Sequence, residues 1–466
     1  MNASRRHFFH SAAGLAAAAG GIGQRLPLSL AMGMAGLSAL AQQAVAADTS
    51  GYKALVCLFM HGGNDGHNWI VPYDATGYAQ YARARTTLAL PYNALQPIAS
   101  TTQGSGRAFA MAAELAPLRA LYEGGRASVV ANVGTLLRPI TKAQYLAGQG
   151  VPPSLFSHND QQSAWQSLSP EGARSGWGGR MGDILAAANA NPVFTTVSAS
   201  GNAVFLSGTG VVQYQVNADG PVGVSALGRG WLLGSDQTGT LRGVLADAGS
   251  NPFQAAHTRV MQRAIQAEAT LRTTLTTVNV PALPATPMLM PTGNTTLDKE
   301  PLARQLRMVA RLIAAQQALG MRRQVFFVSL GGFDTHNHQL RDQAALTTRV
   351  AMSARWFHDT LAAMGMGQNV TLFTASDFGR TLSSNGDGSD HGWGNHHFVV
   401  GPALRGREVH GRMPAAALGT VDEVGSGRYL PSTAVTQLAG SFGTWMGLSA
   451  SELAWALPTL GAFPQG

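Results

Sequence analysis

The chain has a single cysteine, Cys57, in 466 residues. No internal disulfide is possible, so the fold must rest on the size of its core and, where one binds, on a metal. Cys57 sits within the apolar run Leu55-Val56-Cys57-Leu58-Phe59-Met60 and reads as a small core residue. Charge is scarce too: Asp, Glu, Lys and Arg make up 12% of the chain, with no dense Lys/Arg run. That argues against nucleic-acid binding, which needs a basic patch or stripe. A long uninterrupted apolar segment is also lacking. The Ala-rich start is split by Gln24 and Arg25, whereas a membrane span wants about 20 strongly apolar residues in a row. No Gly-x-Ser-x-Gly elbow precedes a helix, which argues against acyl-ester hydrolysis. Internal repeats and heptads are absent.

What is present begins with an export signal. Ser4-Arg5-Arg6-His7-Phe8-Phe9 has the twin-arginine pattern, and Ala44-Val45-Ala46-Ala47 offers a small-residue cleavage site before Asp48. The expected partition is 1–47 as a twin-arginine leader and 48–466 as one domain, periplasmic or secreted, with no stable membrane span after cleavage. The twin-arginine export machinery is the implied partner, and it carries chains already folded, which suits a metal loaded before crossing. Loss of Arg5, Arg6 and Arg25 with the leader lowers the formal charge from +8 to +5. A modest positive field of this kind favours an anionic substrate.

The chemistry-bearing residues cluster in turns that follow apolar, β-branched runs. Leu55–Met60 leads into His61-Gly62-Gly63-Asn64-Asp65-Gly66. Val325–Leu330 leads into Gly331-Gly332-Phe333-Asp334-Thr335-His336-Asn337-His338. Val370–Ala375 leads into Ser376-Asp377-Phe378-Gly379-Arg380, and Asp390-His391-Gly392-Trp393 follows soon after. Such runs read as strands buried on both faces of a parallel sheet, and ligands bind beyond the carboxyl ends of such strands. Asp, His and Arg residues far apart in the chain are thereby expected on one rim, an arrangement suited to a metal-assisted site. His396 and His397 are expected with one at the rim and one in the core.

Between these strands, helices are expected over Ala112–Tyr122, Leu302–Leu319 and Gln343–Met364, with a strand over Ala127–Val133. The fold class that results is α/β, a mainly parallel central sheet with helices on both faces. Asn191–Gly223 reads as a short antiparallel excursion and Val278–Thr295 as an exposed loop. From Ser426, a capping loop and helices are expected around Leu438, Phe442, Trp445 and Leu448.

These motifs, in this order and behind a twin-arginine start, closely resemble the secreted bacterial family called domain of unknown function 1501. The resemblance covers nearly the whole chain after the leader, with Ser175-Gly176-Trp177-Gly178-Gly179-Arg180 and Arg428-Tyr429-Leu430-Pro431-Ser432-Thr433 as supporting pieces. That family looks like a branch of the alkaline-phosphatase-like superfamily, which includes sulfatases and cofactor-independent phosphoglycerate mutases. The resemblance implies metal ligands at Asp65, Asp334, Asp377 and His391, together with His336 or His338, depending on whether Asp-Thr-His or Asp-x-x-x-His spacing applies. Phe378 stands where the superfamily has a His. A carboxylate and imidazole set fits one or two divalent ions, Zn, Mn, Ca or Mg. Ser157 would be the nucleophile at a helix N-terminus, His158 or Asp160 would lie near the metal, and Arg380 would hold the anionic group of the substrate.

Each residue also has a purely structural reading. Asp65 can bond backbone in its turn, Asp334 can cap a helix, Asp377 can pair with Arg380, and Ser157 can be an N-cap. The expected function is an exported metal-dependent hydrolase of phosphate or sulfate esters. The alternative is a non-catalytic exported envelope protein of the same fold, binding a metal structurally or a cell-surface polymer.

Overall fold

Strand β1, Lys53–Met60, explains why its apolar run shows no polar alternation. Ala54, Val56, Leu58 and Met60 enter one hydrophobic cluster, while Leu55, Cys57 and Phe59 enter another. Side chains alternate along a strand, so a strand covered on both faces must be apolar at every position. The computed structural model describes residues 47–223 and 251–464. The expected leader therefore lies outside the described residues except for Ala47. From Ala47 onward the chain is one compact unit.

The other strands of the main sheet are β2 (Ala127–Gly134), β3 (Thr196–Ser198), β4 (Tyr214–Asn217), β5 (Gly220–Pro221), β6 (Arg323–Leu330), β7 (Val370–Ser376), β8 (Asn395–Val400), β9 (Val409–His410) and β10 (Thr433–Ala434). They lie in the order β9-β2-β8-β7-β1-β6-β3-β4-β5, and β10 also pairs with β2. β1 runs parallel to both β6 and β7, in register from Lys53 opposite Arg323 to Met60 opposite Leu330. Only β8, between β7 and β2, and β5, at the far edge, pair antiparallel. The sheet is thus mainly parallel.

Helices cover both faces. On one side lie α1 (Ala116–Glu123), α2 (Pro301–Ala314) and α3 (Gln339–Ala363), through Leu118, Leu121, Leu306, Val309, Val350 and Phe357. On the other lie the helices His158–Ser167, Trp177–Leu185 and Val435–Met446, through Trp165, Trp177, Met181, Leu438 and Phe442. None of the described helices is long and apolar enough to cross a membrane.

Three local expectations need correction. The 191–223 segment is not an antiparallel excursion: β3 extends the main sheet parallel to β6, β4 continues parallel to β3, and only β4 and β5 form a hairpin. Val197 is fully buried, which is the gain from joining the sheet edge. Helix α3 begins at Gln339, four residues earlier than the apolar pattern suggests, after His338 in a left-handed conformation (φ 49°). His396 and His397 are both buried, and neither reaches the rim. The His396 Nδ1 accepts from the Asn132 N–H at 3.0 Å.

Burial holds these histidines, and the equally enclosed His67 in the turn after β1, neutral. It pushes His67 down to about 4 and His397 down to about 3. In the unfolded chain both regain an ordinary value near 6.5. Between those limits the unfolded state binds more protons, so stability is present above pH 6.5 and is lost as pH falls. The melting temperature is expected to drop steadily from pH 7 to pH 4 in scanning calorimetry. His397→Gln, which cannot charge, should flatten that slope.

Candidate metal centre

The carboxyl ends of β1, β6 and β7 place three loops side by side. The first turns through Gly62 and Gly63, both at positive φ (117° and 88°). A Cβ at Gly62 would collide with the backbone nitrogen of Asp334, and one at Gly63 with the ring of Phe378. The two glycines therefore let the loops after β6 and β7 close over the first. The Gly62 N–H donates to Asp377 Oδ2 at 3.1 Å. Beyond β7, Arg380–Ser384 and Ser389–His391 form a small antiparallel hairpin that carries Asp390 and His391 back to the rim. His158 arrives as the first residue of its helix.

Three imidazoles meet the carboxylate of Asp334. The Nε2 atoms of His336 and His391 lie 3.0 and 3.2 Å from its Oδ1, and 2.9 Å from each other. The Nε2 of His158 lies 3.4 Å from its Oδ2. The other ring nitrogen of each histidine is held from behind. His158 Nδ1 is 2.7 Å from Asp377 Oδ2, His336 Nδ1 is 3.2 Å from Asp390 Oδ1, and His391 Nδ1 is 2.7 Å from the carbonyl oxygen of Phe156. Each of those partners can only accept, so each Nδ1 is the protonated nitrogen and each Nε2 carries a lone pair when the ring is neutral. Two lone pairs and a carboxylate oxygen packed this closely repel one another unless a proton or a cation stands among them. Tetrahedral zinc with N and O ligands separates its donors by about 3.3 Å, close to the spacings here. Donor atoms of His158, Asp334 and His391 all lie within 4.8 Å of one another. The donor set fits a divalent ion, and the acceptors behind the rings are the orienting groups such a site requires.

The groups of the centre shift one another's ionisation. Burial pushes the Asp334 carboxyl up, but the hydrogen bond and charge of Arg380, with His336 and His158, hold it below the ordinary value. His158 is raised by its bond to Asp377. His391 is lowered, first by burial and then by the charges of His158 and Arg380.

The expected residues divide as follows. Asp334, His336, His391 and His158 come together. His338 does not join them: its ring is exposed and 4.0 Å from Asp387. Asp377 reaches the centre through His158; its Oδ2 accepts from His158, Gly62 and Gln162, while its buried Oδ1 has no hydrogen-bond partner among the described residues. Asp65 stands apart from the donor group. Its buried carboxylate pairs with the buried Arg85 and accepts from Gln339 Nε2 at 2.6 Å and the His67 N–H at 3.2 Å. Arg380 is corrected as well. It is buried, donates to Asp334 at 2.7 Å rather than to Asp377, and spends its remaining nitrogens on Gly62 O and on Ser389. Its task here is to hold Asp334, with no fork left for an anion. Ser157 occupies the N-cap position, yet its hydroxyl makes no capping hydrogen bond.

Sequence reasoning missed Arg85, which carries no motif, and gave no role to Phe156 or Gln162, although both flank the Ser157-His158 pair. Asp390 had a signal, its place beside His391.

A family profile described as "Protein of unknown function (DUF1501)" matches residues 52–444. The chain belongs to that family. No curated protein matches this DUF1501 sequence. Among solved structures it is similar to Ps i-CgsB in complex with k-i-k-neocarrahexaose, at 10% identity and TM-score 0.33 over 88% of this chain and 74% of the other. A 2-O GAG sulfatase, BT1596, gives 11% identity and TM-score 0.31 over 86% and 72%. The PsFucS1 sulfatase from Pseudoalteromonas sp. gives 11% and 0.33 over 89% and 76%. Likeness at this level carries no argument about chemistry, which rests on the residues themselves.

Two outcomes follow from the geometry. Arg85→Met leaves Asp65 charged and unpaired in the interior, and should cost about 3–5 kcal/mol in urea unfolding. Asp390→Asn keeps the shape but weakens the hold on the His336 ring. It should lower zinc affinity about tenfold or more by calorimetric titration, with little change in melting temperature.

Proposed function

We propose that this DUF1501 protein is an exported, metal-dependent hydrolase of phosphate or sulfate esters. The observation that carries the reading is the convergence of three Nε2 atoms on Asp334, each imidazole fixed from behind by an acceptor. Asp334 and His391 would hold one divalent ion with His158, His336 or both. Such an ion supplies Lewis acidity toward an ester oxygen and stabilises the charge that builds there.

The protein's own groups do the rest. Asp377, Asp390 and Phe156 set the rings, and Arg380 keeps Asp334 ionised. Ser157 sits between Phe156 and His158, at the start of a ten-residue helix, with an uncommitted hydroxyl. The free N–H groups and dipole of that helix end favour an anion. Ser157 Oγ would form a bond to phosphorus or sulfur while the ester C–O–P or C–O–S link breaks at that centre. The hydroxyl proton ends on the departing alcohol, and water then releases the inorganic anion and restores the serine. A lone buried Cys57 and a twin-arginine start favour folding before export.

One observation favours a second reading, a non-catalytic envelope protein with a structural metal. Phe378 packs its ring against His158 and His391, at centroid distances of 5.0 and 4.6 Å, where the superfamily resemblance expects another ligand. Metal analysis of the purified protein, with assays on aryl phosphate and aryl sulfate esters, separates the two. Bound metal, and turnover that falls at least a hundredfold in Asp334→Asn or on chelation, is the expected result. Metal without turnover on any ester supports the second reading, and a folded protein with neither metal nor turnover refutes both.

A further inference from the structure

With Arg380 committed to Asp334, an anionic ester needs a different cation to receive it. We propose that Arg428 is the anion-binding residue of this centre, an inference that rests on the hydrolase reading above. Its Nε donates to the carbonyl oxygen of His391 at 3.0 Å. Its guanidinium carbon lies 4.5 Å above the ring of Phe156, whose own carbonyl accepts from His391 Nδ1 at 2.7 Å. Arg428, His391 and Phe156 thus form a closed loop of contacts around one imidazole of the centre.

The two terminal nitrogens of Arg428 are left over. They make no hydrogen bond or ion pair among the described residues, and the side chain is half-buried. Arg119 and Arg307 also donate only through Nε, but to the carbonyl oxygens of Pro97 and Pro281 rather than to a residue of the centre. Arg380, which does reach the centre, is buried and paired with Asp334. A guanidinium stacked on an aromatic ring and bonded at Nε has lost its freedom already, and it presents two parallel N–H donors, the geometry that phosphate and sulfate oxygens accept.

The support beneath it is stiff. Gly427 has φ 78°, and a Cβ there would press on the Leu382 and Ser383 backbone. Its carbonyl accepts from the Leu382 N–H at 2.8 Å, in the hairpin strand that begins with Arg380. Glu423 Oε1 accepts from the N–H groups of Gly425 and Gly427 at 2.7 and 2.8 Å. On the other side, Phe156 holds φ 72°, a left-handed conformation a bulky residue seldom adopts. That twist is what directs its carbonyl at His391 and its ring under Arg428.

The test is titration calorimetry of inorganic phosphate and inorganic sulfate into the zinc-loaded full-length protein. Wild type, Arg428→Gln and Arg428→Lys are compared, and zinc affinity is measured for each. Arg428→Gln is expected to weaken anion binding about tenfold or more, the worth of a charge-assisted hydrogen bond. Arg428→Lys should recover part of it, since the charge returns without the planar fork. Zinc affinity should stay within about twofold in both. Anion affinity in Arg428→Gln equal to wild type overturns the inference. So does an equal loss of zinc in both variants, which would make Arg428 a mere prop for His391. If the anion effect appears but no ester is turned over, Arg428 stands and the hydrolase reading falls. If esters are turned over with unchanged KM in Arg428→Gln, the reverse holds.

Discussion

Everything at the rim depends on one contact, the 2.7 Å bond from the buried guanidinium of Arg380 to the half-exposed carboxylate of Asp334. Arg380 is wholly removed from solvent, and a buried cation persists only where charge and hydrogen bonds replace its hydration. Asp334 provides the charge, and Gly62 and Ser389 provide the remaining bonds. The exchange fixes the carboxylate in ionised form at the point where the loops after β1, β6 and β7 meet. Without that anchor the histidines would have no common target.

Around this anchor the polar groups fall into layers. Asp65 and Arg85 neutralise each other deepest in the protein, and Gln339 links Asp65 to the start of α3. Asp377, Asp390 and the Phe156 carbonyl form a backing layer behind the rings, with Asp377 buried and Asp390 half-exposed. The imidazoles form the layer that faces Asp334. Opposite environments act within it: a carboxylate partner raises His158, while burial and neighbouring cations lower His391.

The central architecture was legible because it follows from period-two burial. The runs at Leu55, Val325 and Val370 could be placed in a covered parallel sheet, and the rim followed from where such strands end. Asp334, His336 and His391 were legible from adjacency of acid and imidazole at those ends. The tasks of Asp65 and Arg380 were not, because nothing in the sequence tells that Asp65 pairs with Arg85 or that Arg380 pairs with Asp334. The 191–223 segment misled for a related reason: short Val- and Thr-rich strands look alike whether they pair with each other or with the edge of a large sheet. Of the two candidate histidines, His336 meets Asp334, while His338 stands in a left-handed conformation with its ring exposed beside Asp387.

The donors of the centre come from residues 158, 334 and 391, brought to one point by strands laid down in a different order from the chain. A ribosome-bound nascent chain therefore carries His158 early but lacks a complete chelate until well past its midpoint, and gains it only when the hairpin bearing His391 has docked. Capture of a cation would come last, as a seal on a finished molecule, and the energy it releases would reinforce the entire assembly rather than any one segment.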